Sequence, residues 1–242
     1  MTTFAHVQAQ CGIRRTSLSA LSEAASVFDA ALLHDVLTAL SAQLQPHLSG
    51  AEQAALASLT AVDGSLLPAL PRMLSAVWQD DQHRAANMPV AFAVLRHGPV
   101  AVTVTAGHAS ERAELRRLVQ PGGFYVFDRG YIDYDLFQEL HNLPCSFLGR
   151  VKANVSYAVH EEHPVSAAAR AAGVERDVVL RRLGTAPQSR LLPQLFRLVQ
   201  VATGKTDAHG APEVMVLVTN RLDLDAELVA LAYRYRWAVE ML

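Results

Sequence analysis

Four consecutive apolar residues, Phe124-Tyr125-Val126-Phe127, lead directly into Asp128. A strand with one face in water alternates apolar and polar side chains, so an unbroken apolar run predicts a central strand buried on both faces. Such strands are typical of α/β folds, in which helices cover a parallel or mixed sheet. A carboxylate at the edge of that core needs compensation. On position alone, two roles for Asp128 are equally open: pairing with Arg129 or capping a turn at Gly130, and a functional role at the carboxyl end of the strand.

The periodicity of the remaining chain supports the same fold class. Apolar residues recur at three- and four-residue spacing over 17–60 and predict helix, and residues 88–108 predict two strands around a turn at His97-Gly98-Pro99. The later predicted elements are a short helix with Ser110 as its N-cap, the strand at 124–128, a helix over 133–142, a strand within 145–153, an irregular β-rich segment over 154–212, a strand within 213–220 and a final helix within 223–242. The sequence therefore predicts an α/β fold around a mixed sheet with flanking helices.

Composition limits the class of protein. The chain has 242 residues, of which 51% are hydrophobic and 18% charged, enough for one sizeable core. No apolar run is long enough to span a membrane, and two cysteines give neither a disulfide framework nor a metal cluster, so a reducing cytoplasm is expected. The net charge of -2 argues mildly against nucleic-acid binding. However, nine basic residues stand against four acidic ones between Cys145 and Lys205, which indicates either a cationic surface or an arginine-rich genomic bias.

Two further carboxylates lie in patterns with two interpretations each. Asp63 precedes Gly64, and Asp-Gly is so common in hairpin turns that the sequence favours a turn former there. In the final helix, Tyr233, Arg236 and Glu240 fall within about 60° of one another on one face. This face predicts one of two roles. It is either a row of ion pairs on the surface, or it places Glu240 to bind a metal ion, with Tyr233 and Arg236 beside it to contact phosphate. Two or three carboxylates suffice for a pair of Mg²⁺ ions, because Mg²⁺ keeps several waters.

The order of these motifs resembles the insertion-sequence four family of DDE transposases. The second acidic motif of that family matches Asp128-Arg129-Gly130-Tyr131 followed by Asp133-Tyr134. The third, a helix with Tyr, two residues, Arg, three residues and Glu, matches Tyr233, Arg236 and Glu240. The sequence DGS at Asp63 is similar to the first. The resemblance covers roughly residues 17 to 242 and follows the family order throughout.

The resemblance implies a ribonuclease-H-like mixed sheet, a helical N-terminal region at 1–57, and a catalytic domain at 58–242 with a β-rich insertion at about 154–212. It implies DNA transposition by metal-dependent cutting and joining at transposon ends, with two Mg²⁺ ions, replaceable by Mn²⁺, on three acids. The implied partners are terminal inverted repeats and target DNA, with a homodimer in the synaptic complex, no membrane, and a bacterial cytoplasmic location at the nucleoid. The implied site residues are, for catalysis and metal, Asp63, Asp128 and Glu240, and for DNA, Tyr233, Arg236, Arg129, Tyr131, Arg150 and Lys152.

The chain also departs from this family. Members usually continue well past the catalytic glutamate, with a lysine seven residues on, whereas Glu240 is followed only by Met241 and Leu242. We therefore expect a chain truncated at both ends, and the alternative function is an inactive remnant that at most binds DNA. A nuclease without specificity for transposon ends is a competing hypothesis for the same fold.

Two weaker signals remain. For Trp237 a place in the core is favoured over stacking on a base. The imidazoles of His160 and His163 are expected in a loop and not as metal ligands.

Overall fold

The structure is a computed structural model that describes residues 17, 19–20, 23, 50–68, 77–78, 84–94, 98–102, 105–106, 110–184, 191–206, 210 and 212–237. The chain divides into two compact units, Met1–Leu40 and Ser41–Leu242. In the first unit Ser19, Ala20 and Glu23 are helical. All strands and helices named below belong to the second unit. None of the described helices is long and apolar enough to cross a membrane.

The second unit is a mixed α/β structure built on one large sheet. Its described strands are β1 (Leu59–Pro68), β2 (Val77–Trp78), β3 (Arg84–Ala93), β4 (Gly98–Val102), β5 (Thr105–Ala106), β6 (Phe124–Phe127), β7 (Ser146–Val151), β8 (Tyr157–His163), β9 (Val174–Leu183), β10 (Leu191–Thr206) and β11 (Pro212–Thr219). Its described helices are α1 (Ala51–Leu56), α2 (Glu111–Leu118), α3 (Tyr134–Asn142), α4 (Ala167–Ala171) and α5 (Ala226–Arg234), with a 3-10 turn at Arg129–Tyr131.

The strand order along the sheet is β2-β3-β1-β6-β7-β11-β10-β9-β8, and β4 and β5 also pair with β3. One half combines two kinds of pairing: β1 is antiparallel to β3, and β3 to β4, whereas β1, β6 and β7 run parallel. In the other half, β7, β11, β10, β9 and β8 are successively antiparallel. The described residues between β7 and β11 thus form three strands and one short helix, in agreement with the β-rich segment predicted for 154–212. Its origin as an insertion stays a prediction, as does the division at residue 57.

The sheet is buried on both faces around β6, as the unbroken apolar run predicts. Phe124 and Val126 belong to a core cluster that includes residues of α1, α4 and α5. Tyr125 and Phe127 belong to a second cluster, built with residues of α2 and α3. Consecutive side chains of a strand point to opposite faces, so this single strand supplies both cores. Its end at Asp128 therefore lies where two hydrophobic layers meet solvent.

Several predicted elements agree with the structure, whereas the end of one helix and part of one turn do not. The helix predicted at 133–142 begins at Tyr134, since Asp133 caps it by accepting hydrogen bonds from the backbone N–H groups of Asp135 and Leu136. Helical structure through residue 60 is wrong at its end, because β1 begins at Leu59. Most of 17–60 and the predicted turn residue His97 lie outside the described residues. Gly98 and Pro99, predicted in the same turn, are instead the first residues of β4 and pair with β3, so the turn prediction is wrong for them.

Candidate active site

Asp63 and Asp128 lie at matching positions of two neighbouring parallel strands. β1 and β6 pair in register from Leu59 with Phe124 to Val62 with Phe127; Asp63 is the next residue of β1, and Asp128 directly follows the end of β6. Adjacent strands are about 4.8 Å apart, so this register brings the two residues side by side at the carboxyl end of β6. Asp63 itself pairs with Val90 of β3 inside the ten-residue strand β1. The prediction that Asp63 forms a hairpin turn is therefore wrong.

Helix α5 and the turn that follows it place two polar side chains over these carboxylates. The hydroxyl of Tyr233 donates a hydrogen bond to Oδ1 of Asp128 at 3.1 Å. Nη1 of Arg236 lies 3.8 Å from Oδ2 of Asp63. Both side chains are buried, with 2% and 3% of their residue surface exposed. Tyr233 and Arg236 thus share one face, as predicted, and that face points into the site, so the alternative of a row of ion pairs on the surface is wrong.

The third predicted acid, Glu240, lies outside the described residues, which end at Trp237. Its approach to the two aspartates therefore stays a prediction. Within the described part of the chain, no three His, Cys, Asp or Glu side chains are grouped closely enough to hold a metal ion together. The two aspartates nevertheless fit one, because Mg²⁺ prefers carboxylate oxygens and completes its shell with water. Asp63 and Asp128 could provide the protein ligands of such a site from the sheet.

The pKa values of the acids show how this site handles negative charge. Burial would raise the pKa of the Asp128 carboxyl, but the Arg129 backbone N–H, the Arg236 guanidinium and the Tyr233 hydroxyl together hold it below its ordinary value. The pKa of Glu111 is raised, first by burial and then by the charges of Asp63 and Asp128. Asp128 is therefore held as a carboxylate, whereas the charge of Glu111 is disfavoured.

Glu111 is a site residue that sequence reasoning missed. It is the first residue of α2, a position that reads as an ordinary acid favoured by the helix dipole. In the structure its Oε2 lies 2.7 Å from where a Cβ on Gly130 would stand. The carboxylate therefore rests directly on the turn that follows Asp128. No sequence signal joins positions 111 and 130, since their contact depends on how α2 packs on the sheet.

The predicted DNA contacts fall into two groups. Arg129 and Lys152 are exposed, whereas Arg150 is partly buried and its Nη2 lies 3.1 Å from Oε1 of Glu213. Tyr131 is 2% exposed and packs its ring 5.8 Å, centroid to centroid, from Phe127. Tyr131 is thus as buried as Tyr233 and Arg236, and the DNA-binding roles of all six residues stay predictions.

Two other expectations, for Trp237 and for His160 to His163, have structural outcomes, and the environment of Cys145 is also defined. Trp237 is 56% exposed, so its predicted place in the core is wrong; the Arg236 guanidinium lies 4.5 Å from the centroid of its ring. His160 and His163 lie in strand β8 and not in a loop, and Nδ1 of His163 is 3.7 Å from Oδ2 of Asp177. Cys145 is buried, and its thiol donates to the carbonyl of Gln120.

Comparison with known proteins gives a family, a relative and a solved structure. The family described as Transposase DDE domain matches residues 55–242. The Sinorhizobium fredii protein named "Putative transposase y4zB" is 25% identical over 189 residues, which are 77% of this chain and 50% of that protein. The chain thus spans about half the length of this curated relative. The piggyBac transposase, in the cryo-EM structure of its synaptic complex with hairpin DNA, is similar over 76% of this chain and 39% of that chain, at 10% identity and a TM-score of 0.45.

Proposed function

The chain belongs to the Transposase DDE domain family, and we propose that it carries the catalytic centre with which an insertion-sequence transposase cuts and joins DNA. One observation carries the proposal: Asp63 and Asp128 follow the last paired residues of two parallel strands, beneath the buried Tyr233 and Arg236. If Asp63 only formed a turn, and if Tyr233 and Arg236 only formed surface ion pairs, these residues would not come together in this way. Acids on neighbouring strands are instead what metal-dependent phosphoryl transfer requires.

The strand order supports a ribonuclease-H-like core. β1 stands between an antiparallel hairpin, β3 and β4, and two parallel strands, β6 and β7. In this arrangement the first acid lies on the central strand and the second at the end of the next strand. The strands β8 to β10 extend the same sheet beyond β7 and β11. They lie where an insertion before the last catalytic helix would be.

Asp63 and Asp128 would hold divalent metal ions, with Glu240 as the third acid. Bound Mg²⁺ or Mn²⁺ would supply the activation of the attacking oxygen and the stabilisation of the leaving one. The protein contributes the placement of these acids: β1 and β6 fix two of them on the sheet. Tyr233 keeps Asp128 oriented through its hydrogen bond. Arg236, buried beside Asp63, provides a fixed positive charge on which a phosphate of the DNA end can rest.

DNA would be held mainly by charge, since the protein as a whole is slightly acidic. The exposed Arg129 directly follows Asp128, and the exposed Lys152 directly follows β7. Both are placed to contact phosphates on either side of the acids. Lys and Arg contacts with phosphate release counterions, so binding should weaken steeply as salt increases. The stretch from Cys145 to Lys205, with nine basic residues against four acidic ones, would extend the contact.

The test is cleavage of DNA that carries the ends of the parent element, with Mg²⁺ or Mn²⁺, by the 242-residue chain and its variants. We expect end-specific cuts and joining to a target, with more than about a hundredfold loss in Asp128→Asn, because a metal-site carboxylate is removed. Asp135→Asn, an exposed acid of α3, is the matched control and should cut as the wild type does. Undiminished activity of Asp128→Asn would refute the assignment. Cuts without preference for the ends would favour the nuclease without specificity for transposon ends.

A further inference from the structure

We propose that Glu111 is a fourth acidic group of this site and that, together with the hydroxyl of Tyr131, it holds a water molecule of the metal hydration shell. This inference rests on the proposed function, since it concerns the same centre. Neither the acidic motifs nor the Tyr-Arg-Glu pattern of the last helix includes Glu111. The proposal assigns a role to a partly buried acid, Glu111, and a buried tyrosine, Tyr131, that the proposed reaction leaves unused.

The first argument is the position of the Glu111 carboxylate. Its Oε2 lies 2.7 Å from the place of a Cβ on Gly130, and Gly130 is two residues after Asp128. A side chain at 130 would overlap the present position of the carboxylate, so Glu111 would have to move away from this turn. The acid therefore lies against the backbone of the motif that carries Asp128, at the same end of the sheet.

The second argument is the hydroxyl of Tyr131. It is buried, and among the described residues it has no hydrogen-bond partner. Buried polar groups are almost always hydrogen-bonded, and an exception points to a bound water or ion. Tyr131 directly follows Gly130, against which the Glu111 carboxylate lies. Burial raises the pKa of this hydroxyl most, and the charges of Glu111 and Asp63 raise it further. A water between these groups would accept from the tyrosine and donate to a carboxylate.

Direct coordination of the metal ion by Glu111 agrees less well with the structure than contact through a water molecule. The described His, Cys, Asp and Glu residues form no three-membered group close enough to share one ion. Mg²⁺ keeps several of its waters when protein carboxylates bind it, so an acid at longer range acts through one of them. Stabilisation of α2 by the helix dipole does not explain Glu111 either. Burial and then the charges of Asp63 and Asp128 disfavour its charged form, and together they raise its pKa in spite of Arg112.

The proposal makes opposite predictions for the metal-free and the metal-bound protein. In Glu111→Gln the metal-free protein should have a higher Tm than the wild type, because one of several neighbouring negative charges is removed. The same variant should bind Mn²⁺ about tenfold more weakly, since outer-shell partners of a metal site typically contribute at least that factor. A merely structural glutamate would show the reverse in the metal-free state, with a lower Tm. These two readouts do not depend on catalytic activity.

The experiment measures Mn²⁺ binding by electron paramagnetic resonance and Tm by calorimetry, with and without the metal, for the 242-residue chain. Tyr131→Phe is the milder second variant: it keeps the ring, should not lower the Tm of the metal-free protein, and should weaken Mn²⁺ binding severalfold. Glu52→Gln is the matched control, because Glu52 is an exposed acid in the first turn of α1. It should leave Mn²⁺ binding unchanged.

The outcomes separate this inference from the proposed function. If Asp128→Asn abolishes Mn²⁺ binding while Glu111→Gln and Tyr131→Phe bind Mn²⁺ as the wild type does, the inference on Glu111 is wrong and the metal site stands. If the wild type binds no Mn²⁺, both are wrong. Weaker binding in Glu111→Gln together with a higher metal-free Tm supports the fourth acid.

Discussion

The buried ion pair between Arg197 and Asp177 is the contact whose loss should damage the fold most. Nε of Arg197 donates to Oδ1 of Asp177 at 2.7 Å, and Nη2 donates to Oδ2 at 2.5 Å. Nη1 donates to the carbonyl of Leu224, two residues before α5 begins. The pair joins β9 and β10 and ties both to the start of the helix that carries Tyr233. We choose Arg197→Met as the perturbation, because methionine keeps an apolar stem in the same space.

The magnitude follows from burial. Both side chains are almost fully buried, at 5% and 4% exposure, so Arg197→Met leaves the Asp177 carboxylate in the core without its guanidinium. Removing one partner of a buried pair costs about 3–5 kcal/mol, a large part of the roughly 5–15 kcal/mol that stabilises a typical domain. The double variant Arg197→Met/Asp177→Leu should recover to within about 1 kcal/mol of the wild type, because no buried charge is left unpaired.

Equilibrium unfolding in urea, followed by circular dichroism, measures these free energies of unfolding. Arg116→Met is the control, since Arg116 pairs with Glu139 at 2.5 Å on the surface, where a pair contributes less than about 1 kcal/mol. Hydrogen exchange should also show faster exchange of the α5 amides in Arg197→Met than in the control. A loss below about 1 kcal/mol in Arg197→Met, or a double variant no more stable than the single one, would refute the reasoning.

Three further predictions concern the site and the core. Tyr233→Phe should lower the free energy of unfolding by about 1.5–3 kcal/mol, because Asp128 loses a hydrogen bond to its charged oxygen; an unchanged urea midpoint would contradict this. Gly149→Ala should lower the free energy of unfolding by about 1–3 kcal/mol, measured by calorimetry, because its Cβ would stand 2.7 Å from Cε2 of Phe127. An equal or higher Tm would contradict this and show that the core accommodates the methyl group. In a Cys11→Ser background, iodoacetamide at pH 8 should modify Cys145 far more slowly in the native than in the unfolded chain. Burial both shields this thiol and raises its pKa, which leaves less thiolate; equal rates would contradict it.

The fold was predictable where a short stretch of sequence shows directly which side chains are buried. The run Phe124–Phe127 has no polar position, and both faces of β6 are indeed covered by core. The helix at 133–142 was predictable because its amphipathic period and its cap at Asp133 both lie within ten residues. In each case the residues that decide the local structure lie within one short stretch of sequence.

The prediction that Asp63 forms a hairpin turn failed because the deciding interaction is not local. Asp-Gly is a common hairpin signal when two flanking strands pair with each other. Here the residues around Asp63 pair instead with Val90 of β3 on one side, and Val62 pairs with Phe127 of β6 on the other. Those partners hold the backbone extended through the Asp-Gly step. Glu111 is harder still to predict, since its contact at Gly130 arises only after α2 has packed on the sheet.

The two partners supplied by α5 and the turn after it affect how any aspartate variant should be interpreted. Asp128→Asn removes a carboxylate, but it also replaces the charged acceptor of the Tyr233 hydroxyl, so lost activity in that variant has two possible causes. Tyr233→Phe removes the same hydrogen bond and keeps the carboxylate. If Asp128 acts on metal, Asp128→Asn must lose far more activity than Tyr233→Phe at equal folded fraction. Equal losses would mean that Asp128 serves mainly to dock α5, and the catalytic assignment would then rest on Asp63 and Glu240 alone.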